Sequence, residues 1–385
     1  MNMATSLAAI GRRTRVGVLV AFAVVALSGG AAGQTAKEAA DWLNGLGVKL
    51  NSRDATPELV AKTYGVFFDG LAKDKKLNPA DLVKLRAFPK LTDVGLGNAS
   101  GTDETVAALV AALPKLRRLH LQNSAISDTA LAEIAKLKGL VDLKLFSTRI
   151  TAAGMAHVAK LPKLRNLDVS STAIGDEGLE AIKAMPELRY IAFNHMKGVT
   201  RKGMAALAAL PKLDSVVLQF AETNEEIEEL ARSKTLVEVS LMASRLDDTG
   251  GQLLGKLKGL RRLFVWQTKI TDKSMAAIGS LIHLETIYLS DTAITDAGLK
   301  AIANTKNLRN LWIDNTAITD AGLSALSGLS QLKWVKLERT KVTDVGFKAL
   351  LQIKSLTTIG LARTAVSDEA IAAAKAANPK LRISK

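Results

Sequence analysis

The side chains that could carry acid–base or metal chemistry in this 385-residue chain are few, and they lie far apart in the sequence. The four histidines are His120, His157, His195 and His283. His120 and His195 fall three copies apart in a repeated segment, so on strands spaced about 4.8 Å they are separated by roughly 14 Å or more. Two such residues cannot share a metal ion. Because the chain has no cysteine, thiolate metal sites and disulfides are excluded as well.

Paired carboxylates are the other chemistry that the sequence could offer. Asp314 and Glu338 are placed to face each other, as the acid and base of a glycosidase would. No accompanying base or enclosed cleft is indicated beside them, so the sequence predicts no catalytic residue, no metal ion and no cofactor. An aspartate recurs at one position of the repeat, where a helix should begin. The positive end of the helix dipole stabilises a carboxylate there. We interpret these aspartates as structural.

The element that must position all of these residues is an internal repeat of about 24 residues. Its opening leucines are Leu91, Leu116, Leu140, Leu164, Leu188, Leu213, Leu236, Leu260, Leu284, Leu308, Leu332 and Leu356, and Leu381 begins a truncated further copy. Positions below are offsets from these leucines. Apolar residues at +3 and +5 indicate a short strand with one buried face, and later apolar positions three apart indicate a helix.

These copies read L-x-x-L-x-L and continue into I-T-D-x-G-L, as in residues 308–323. In this the sequence resembles the leucine-rich repeat family, and its helical-backed subclass (ribonuclease-inhibitor-like and cysteine-containing-like) in particular. It is especially similar to secreted bacterial leucine-rich repeat proteins. The resemblance implies an α/β horseshoe-shaped solenoid with a parallel concave sheet and convex helices, and the repeat pattern alone favours the same architecture.

Two recurring polar positions are expected to stabilise this solenoid. Thr recurs at +8, as at Thr316, where a small hydroxyl can bond to loop backbone. Asp recurs at +12, as at Asp320, where a neighbouring Thr or Ser can cap the helix. Residues 194–232 depart from this pattern and carry an acidic cluster: Glu222, Glu225, Glu226, Glu228 and Glu229. We interpret the cluster as a solvated helix face, with a docking point as the alternative.

Aromatic residues are only 4% of the chain, yet half of them fall at outward strand positions. They are Phe146, Tyr190, Phe220, Phe264, Trp266, Tyr288, Trp312 and Trp334. Phe264, Tyr288 and Trp312 share offset +4 in successive repeats and should stack as a ladder. Exposed aromatics clustered with charged groups are typical of binding surfaces, although cross-strand packing would explain them too.

We therefore predict one partner-binding patch on the concave face. It comprises Arg262, Phe264, Trp266, Tyr288, Trp312, Asp314, Trp334, Lys336 and Glu338. Arg339 adds a further polar group nearby.

The N-terminus has the three parts of a secretory signal. A basic stretch precedes the apolar run of residues 16–27, and small residues follow up to Gly33. An uncleaved anchor is the alternative, although the run is shorter than the ~20 residues that a spanning helix needs. We predict a signal at residues 1–33, a capping region at 34–90 and a repeat array at 91–385.

The net charge of +15 suggests an acidic ligand only if the charge is concentrated. Basic residues recur near strand starts and could form a rim: Arg117, Arg118, Arg165, Arg189, Arg261, Arg262, Arg309 and Lys333. Many other lysines meet helix C-termini at turns, which explains part of the excess.

The sequence predicts an exported, monomeric, non-enzymatic protein of the periplasm or cell exterior that binds a protein partner. The alternative is a cell-surface polysaccharide or other anionic polymer; no nucleic acid is expected, and no membrane span after signal cleavage. The likeness to cysteine-containing repeats implies a remote third class, the substrate receptor of a ubiquitin ligase. The export signal argues against it.

Overall fold

The computed structural model describes residues 35–385 except 73, 184, 196, 197 and 220–223. The predicted export signal therefore lies outside the described residues, as do Phe220 and Glu222. No helix within the described residues combines the length and apolarity that a bilayer crossing requires.

The strands of the described chain form a single parallel sheet in sequence order. They are β1 Gly65–Phe67, β2 Asp93–Gly95, β3 Arg118–His120, β4 Asp142–Lys144, β5 Asn166–Asp168, β6 Tyr190–Ala192, β7 Ser215–Val217, β8 Glu238–Ser240, β9 Arg262–Phe264, β10 Thr286–Tyr288, β11 Asn310–Trp312, β12 Trp334–Lys336, β13 Thr358–Gly360 and β14 Arg382–Ser384. The predicted α/β leucine-rich repeat solenoid is confirmed by this open sheet and its helices.

Helices alternate with the strands. They are α1 Ala36–Leu46, α2 Pro57–Lys62, α3 Asp103–Ala112, α4 Asp128–Ile134, α5 Ala152–Val158, α6 Gly175–Ile182, α7 Arg201–Ala208, α8 Glu225–Leu230, α9 Asp248–Leu254, α10 Asp272–Gly279, α11 Asp296–Ile302, α12 Asp320–Ser324, α13 Asp344–Leu350 and α14 Asp368–Ala377, with 3-10 turns at Pro79–Ala87, Asn98–Ser100 and Ala325–Gly328.

Apolar side chains at fixed offsets hold each strand to the helix behind it. Leu311 and Ile313, at +3 and +5, are fully buried, while Trp312 between them points to the opposite face. The register repeats without slippage, so that Tyr288 pairs with Trp312 on the next strand. Residues at one offset therefore form columns that cross the sheet.

The turn after each strand uses a residue in the left-handed backbone region. At offset +7 this residue is, for example, Asn315 (φ 52°) or Arg339 (φ 57°). The Thr at +8 then donates its hydroxyl hydrogen to the carbonyl three residues earlier, as Thr316 does to Ile313 at 2.6 Å. The predicted role of the +8 hydroxyl is confirmed, and its partner is the backbone of its own repeat.

The +12 aspartate does more than favour its own helix. Asp296 accepts hydrogen bonds from the backbone N–H of Thr319 (2.8 Å) and from its hydroxyl (2.6 Å), both in the following repeat. The same Thr319 hydroxyl caps α12 by accepting from the N–H of Ala321 at 3.3 Å. We call this contact the Asp–Thr link; it joins one repeat to the next through a charged acceptor.

Where a glycine stands two residues after the helix-opening aspartate, it makes room for this link. A Cβ placed on Gly322 would lie 2.3 Å from Asp296 Oδ1, and one on Gly346 would lie 2.3 Å from Asp320 Oδ1. The recurring D-x-G sequence thus combines a carboxylate with the space for the carboxylate of the preceding repeat.

In the segment that precedes the first repeat, β1 pairs with β2 and extends the sheet by one strand. Trp42 of α1 packs on Phe68 with ring centroids 5.6 Å apart. Asn78 caps the 3-10 turn Pro79–Ala87, since its side chain accepts from the N–H of Ala80 at 3.1 Å.

The Asp–Thr link is kept between Asp176 and Thr200, but the two junctions that follow in the irregular repeats use other contacts. Arg201 of α7 bonds to Glu229 of α8 at 2.6 Å, and Glu229, with only 6% of its side chain exposed, also pairs with Arg232 at 2.9 Å. The interpretation of the acidic cluster as a solvated face is therefore wrong for Glu229, which is buried because two arginines neutralise it. Asn224 next donates to Asp247 at 2.6 Å, with donor and acceptor exchanged relative to the link.

Candidate functional site

The predicted aromatic ladder is present on the outward face of β9, β10 and β11. Phe264 meets Tyr288 edge to face, with centroids 4.6 Å apart and planes at 88°. Tyr288 stacks on Trp312 with centroids 3.5 Å apart and planes at 16°. The edge-to-face contact is the arrangement that aromatic quadrupoles favour, whereas the Tyr288–Trp312 pair lies face to face with little offset. The register of the parallel sheet brings these three rings into line.

A lysine ends the ladder on β12. Lys336 Nζ lies 4.8 Å from the centroid of the Trp312 ring, which is a cation–π contact. Because Tyr288 and Lys336 come from the strands on either side of β11, the two faces of Trp312 are both occupied. Trp312 can therefore offer only its edge to a partner. Burial raises the pKa of Tyr288, so its phenol stays protonated at neutral pH.

Beside the ladder lies a cavity of about 490 Å³. It is lined by Met242, Trp266, Tyr288, Ser290, Asp291, Trp312, Asp314, Asn315, Lys336, Glu338 and Arg339. Six of the nine predicted patch residues contribute to this lining. A cavity of this size with aromatic walls and several charged groups has the dimensions of a side-chain or small-ligand pocket.

The carboxylates in this cavity have different roles. Asp314 accepts from the Ser290 hydroxyl at 3.0 Å and from the backbone N–H of Glu338 at 2.9 Å, so both its oxygens are held by the fold. Glu338 has no side-chain partner among the described residues. Asp314 thus shapes the wall, and Glu338 is the carboxylate that remains available.

The other three predicted patch residues lie outside the cavity lining. Phe264 contacts Tyr288, which lines the cavity. Arg262 is drawn to Glu238 on β8 in a salt bridge, away from the ladder. Trp334 on β12 is 47% exposed and is the most open aromatic of the patch.

The lining includes residues that the sequence reasoning missed. Met242 and Ser290 occupy offset +6, and Asp291 and Asn315 occupy offset +7, where the left-handed turn projects side chains over the end of the strand. The recurrence of Asn and Asp at +7 was the available signal, because these residues tolerate that backbone region.

A second, more polar cavity of about 330 Å³ lies on β4, β5 and β6. Asp142, Lys144, Asn166, Asp168 and Tyr190 line it. Burial, together with the charges of Asp168, Glu238 and Asp142, raises the pKa of Tyr190 to about 12. Its hydroxyl therefore remains a hydrogen-bond donor at all physiological pH values.

Only half of the side chains of the predicted basic rim are free to bind an anionic ligand. Salt bridges to carboxylates on adjacent strands neutralise four of its members: Arg118 with Asp93, Arg189 with Asp214, Arg261 with Glu285, and Arg262 with Glu238. Arg117, Arg165, Arg309 and Lys333 have no carboxylate partner among the described residues. Across the described chain, no three acidic or histidine side chains converge in a way that could hold a metal ion.

Comparison with known proteins agrees with this architecture. The sequence pattern of the family described as "Leucine Rich repeat" matches residues 160–183 and 280–303. No curated protein matches the sequence.

Solved structures share the fold at low sequence identity. An internalin from Listeria monocytogenes is 19% identical, with 85% of this chain and 88% of that chain covered and a TM-score of 0.58. A leucine-rich repeat protein from Leptospira interrogans is 18% identical, with 81% of each chain covered and a TM-score of 0.51. In the TLR13–ssRNA13 complex the matching chain is 17% identical over 83% of this chain and 54% of that one, with a TM-score of 0.53.

Three observations support the same architecture. The family pattern matches two repeats, the opening strands of the repeats form one sheet, and the similar solved structures share this fold. Two repeats of the chain thus match the leucine-rich repeat pattern, and its fold is that of the leucine-rich repeat solenoids.

Proposed function

We propose that this protein is an exported, monomeric, non-enzymatic receptor that binds a protein partner on its concave face, over β9 to β12. The observation that carries the proposal is the half-open Trp334 beside a cavity walled by Trp266 and Trp312. Aromatic side chains bury much surface at little entropic cost, and they supply most of the binding energy at many interfaces.

Export is proposed from the leader in residues 1–33, which would place the protein in the periplasm or outside the cell. We also assign the repeats to the helical-backed subclass, since helices such as α11 and α13 connect one strand to the next.

A hydrolytic role for Asp314 and Glu338 is disfavoured. A glycosidase needs one carboxyl group as a proton donor and the other as a nucleophile or base. Both oxygens of Asp314 instead accept hydrogen bonds that join β10 and β12 to β11. Asp314 is therefore committed to positioning backbone and side chains.

Binding of an anionic polysaccharide along the rim is the second candidate, and the unpaired Arg309 and Lys333 favour it. The polymer would need a continuous positive stripe, however, and the four salt bridges described above interrupt the rim. Salt separates the two functions, because rim-driven polymer binding should weaken steeply with ionic strength while an aromatic protein interface should not.

The test is capture of secreted and envelope proteins of the producing organism on immobilised wild-type protein and on a Trp266→Ala/Trp334→Ala variant. Tyr64→Ala is the matched control, because Tyr64 is 59% exposed in the capping region. We expect a partner that wild type and Tyr64→Ala retain and that the double variant loses. Equal retention by all three proteins would refute the proposed surface.

A further inference from the structure

The C-terminal half of the concave face carries positive charge that the fold leaves uncompensated. Arg309 and Lys333 occupy offset +1 on successive strands, and the backbone N–H of Lys333 donates to the carbonyl of Arg309 at 2.8 Å. Both side chains are exposed, and neither has a carboxylate partner among the described residues. Two adjacent cations therefore face solvent at the edge of the candidate site.

Two other arginines of the same column are neutralised. Arg189 at +1 pairs with Asp214 on the next strand at 3.1 Å, and Arg261 at +1 pairs with Glu285 at 2.5 Å. The geometry of parallel strands thus permits such pairing wherever a carboxylate is present. The +1 residue before Arg309 is Glu285, whose carboxylate is already paired with Arg261, and the +1 residue after Lys333 is Thr357, which carries no charge.

Two further cations lie at the cavity. Lys336 is held over the Trp312 ring, and Arg339 lines the same space. Neither forms a salt bridge with a described residue. Of the three acidic residues that line the cavity, Asp291 accepts from the Asn315 amide at 2.6 Å and Asp314 is bonded by the fold, which leaves Glu338 as the free carboxylate. The cavity itself thus holds two cations and three carboxylates, and the positive excess lies at its edge, on Arg309 and Lys333.

Trp334 stands between these two pairs of cations. It is 47% exposed, and its backbone N–H donates to the carbonyl of Arg309 at 2.9 Å, which fixes it beside the +1 pair. A flat apolar surface bordered by unpaired cations matches a ligand that carries an apolar side chain flanked by carboxylates.

We propose that the partner presents an acidic protein segment to this surface, with carboxylates on Arg309 and Lys333 and an apolar side chain on Trp334. This inference rests on the proposed function and specifies the chemistry of its partner. Unpaired Arg and Lys at the rim of an interface steer an acidic partner and fix its register, while the aromatic supplies buried area.

The probe is the acetylated, amidated peptide Glu-Leu-Glu-Glu, and Gln-Leu-Gln-Gln is its uncharged control. The four tryptophan indole N–H signals of the full chain are followed by NMR, with Trp334→Phe assigning that residue. We expect the acidic peptide to shift the Trp334 signal. In Arg309→Gln/Lys333→Gln the apparent affinity should fall about five- to tenfold.

Arg117→Gln/Arg165→Gln is the matched control, because it removes two unpaired +1 cations from the other half of the sheet and changes the net charge equally. It should leave the shift unchanged. An equal loss in this control, or an equal shift with the glutamine peptide, would overturn the proposal. A shift produced by trigalacturonate and not by the acidic peptide would overturn it in favour of a polysaccharide.

The inference and the proposed function fail in different ways. If the captured partner depends on Trp334 but the acidic peptide neither binds nor competes with it, the function stands and the inference is wrong. If the peptide binds and no partner depends on the aromatic residues, the acidic-segment site stands without the proposed receptor role.

Discussion

Tyr288 and Trp312 stack with their ring centroids 3.5 Å apart, one strand from each other, and Lys336 closes the far face of Trp312. The most central aromatic of the patch is thus already bonded on both sides by its own sheet. Trp312 therefore makes the surface rigid, whereas Trp334 provides exposed apolar surface that a partner can contact.

Trp312→Ala and Trp334→Ala should separate these two roles. Trp312→Ala removes a stacked pair and a cation–π contact, so we expect it to lower the free energy of unfolding by roughly 2 kcal/mol. Trp334→Ala should change stability by less than about 0.5 kcal/mol and should remove partner binding. Urea unfolding and partner capture measure the two effects; a stability loss in Trp334→Ala as large as that in Trp312→Ala would contradict the assignment.

The sequence predicted the ladder because residues 24 apart share a column whenever the register is constant. It also predicted the patch from aromatics at outward offsets. It did not predict that Arg262 pairs with Glu238, its neighbour in the +2 column, and so turns away from the patch. The direction of a flexible side chain depends on its rotamer, which a one-dimensional pattern does not encode.

Gly322→Ala should disturb the junction between two repeats. The new methyl carbon would lie 2.3 Å from Asp296 Oδ1, so either the carboxylate or the helix must move. We expect a loss of roughly 2 to 3 kcal/mol in urea unfolding. Gly45→Ala in α1 is the matched control, because nothing lies within 4 Å of its Cβ. It should be neutral or stabilise the protein by about 0.5 to 1 kcal/mol, and a similar loss in both variants would refute this role of Gly322.

Asp344→Asn should reduce the acid sensitivity of the fold. The backbone N–H of Ser367 and its hydroxyl hold the pKa of the Asp344 carboxyl below its usual value. Because the pKa is lower in the folded state, the stabilisation is present above the unfolded pKa of about 3.9 and is lost as pH falls through the folded value. Unfolding midpoints between neutral pH and pH 2.5 should drop less steeply in Asp344→Asn, which starts lower at neutral pH. An unchanged pH profile would show that this carboxylate contributes nothing.

Arg201→Met should destabilise the irregular repeats. Glu229 is buried and depends on Arg201 and Arg232 for compensation, so removal of Arg201 leaves its charge only half balanced. We expect a lower urea midpoint than for the wild type. Lys202→Met is the control, since Lys202 is exposed on the same helix and its side chain has no described partner. Equal midpoints for the two variants would argue against a structural role for the pair.

The hydrogen bonds between Asp296 and Thr319 could not be predicted from the sequence of a single repeat. An aspartate at the first helical position is explained within one repeat by the helix dipole, and the sequence supports nothing further. Its hydrogen bonds to the next repeat arise from the stacking distance of the coils, which is a property of the assembled array. The glycine of D-x-G acquires its meaning only from that assembly.

The distribution of these links along the array has a mechanical consequence. They run unbroken from Asp248 through Thr271, Thr295, Thr319 and Thr343 to Ser367. In the earlier repeats of the described chain such links end at Ser127, Thr151 and Thr200 only, and the Arg201–Glu229 pair joins a junction without one. Each link ties neighbouring coils, so the unbroken stretch should open as one cooperative unit while the preceding repeats breathe separately. The ladder and Trp334 stand on that stretch. Solenoids often bend between repeats. Here we expect the most rigid repeats to be those that carry the candidate binding surface.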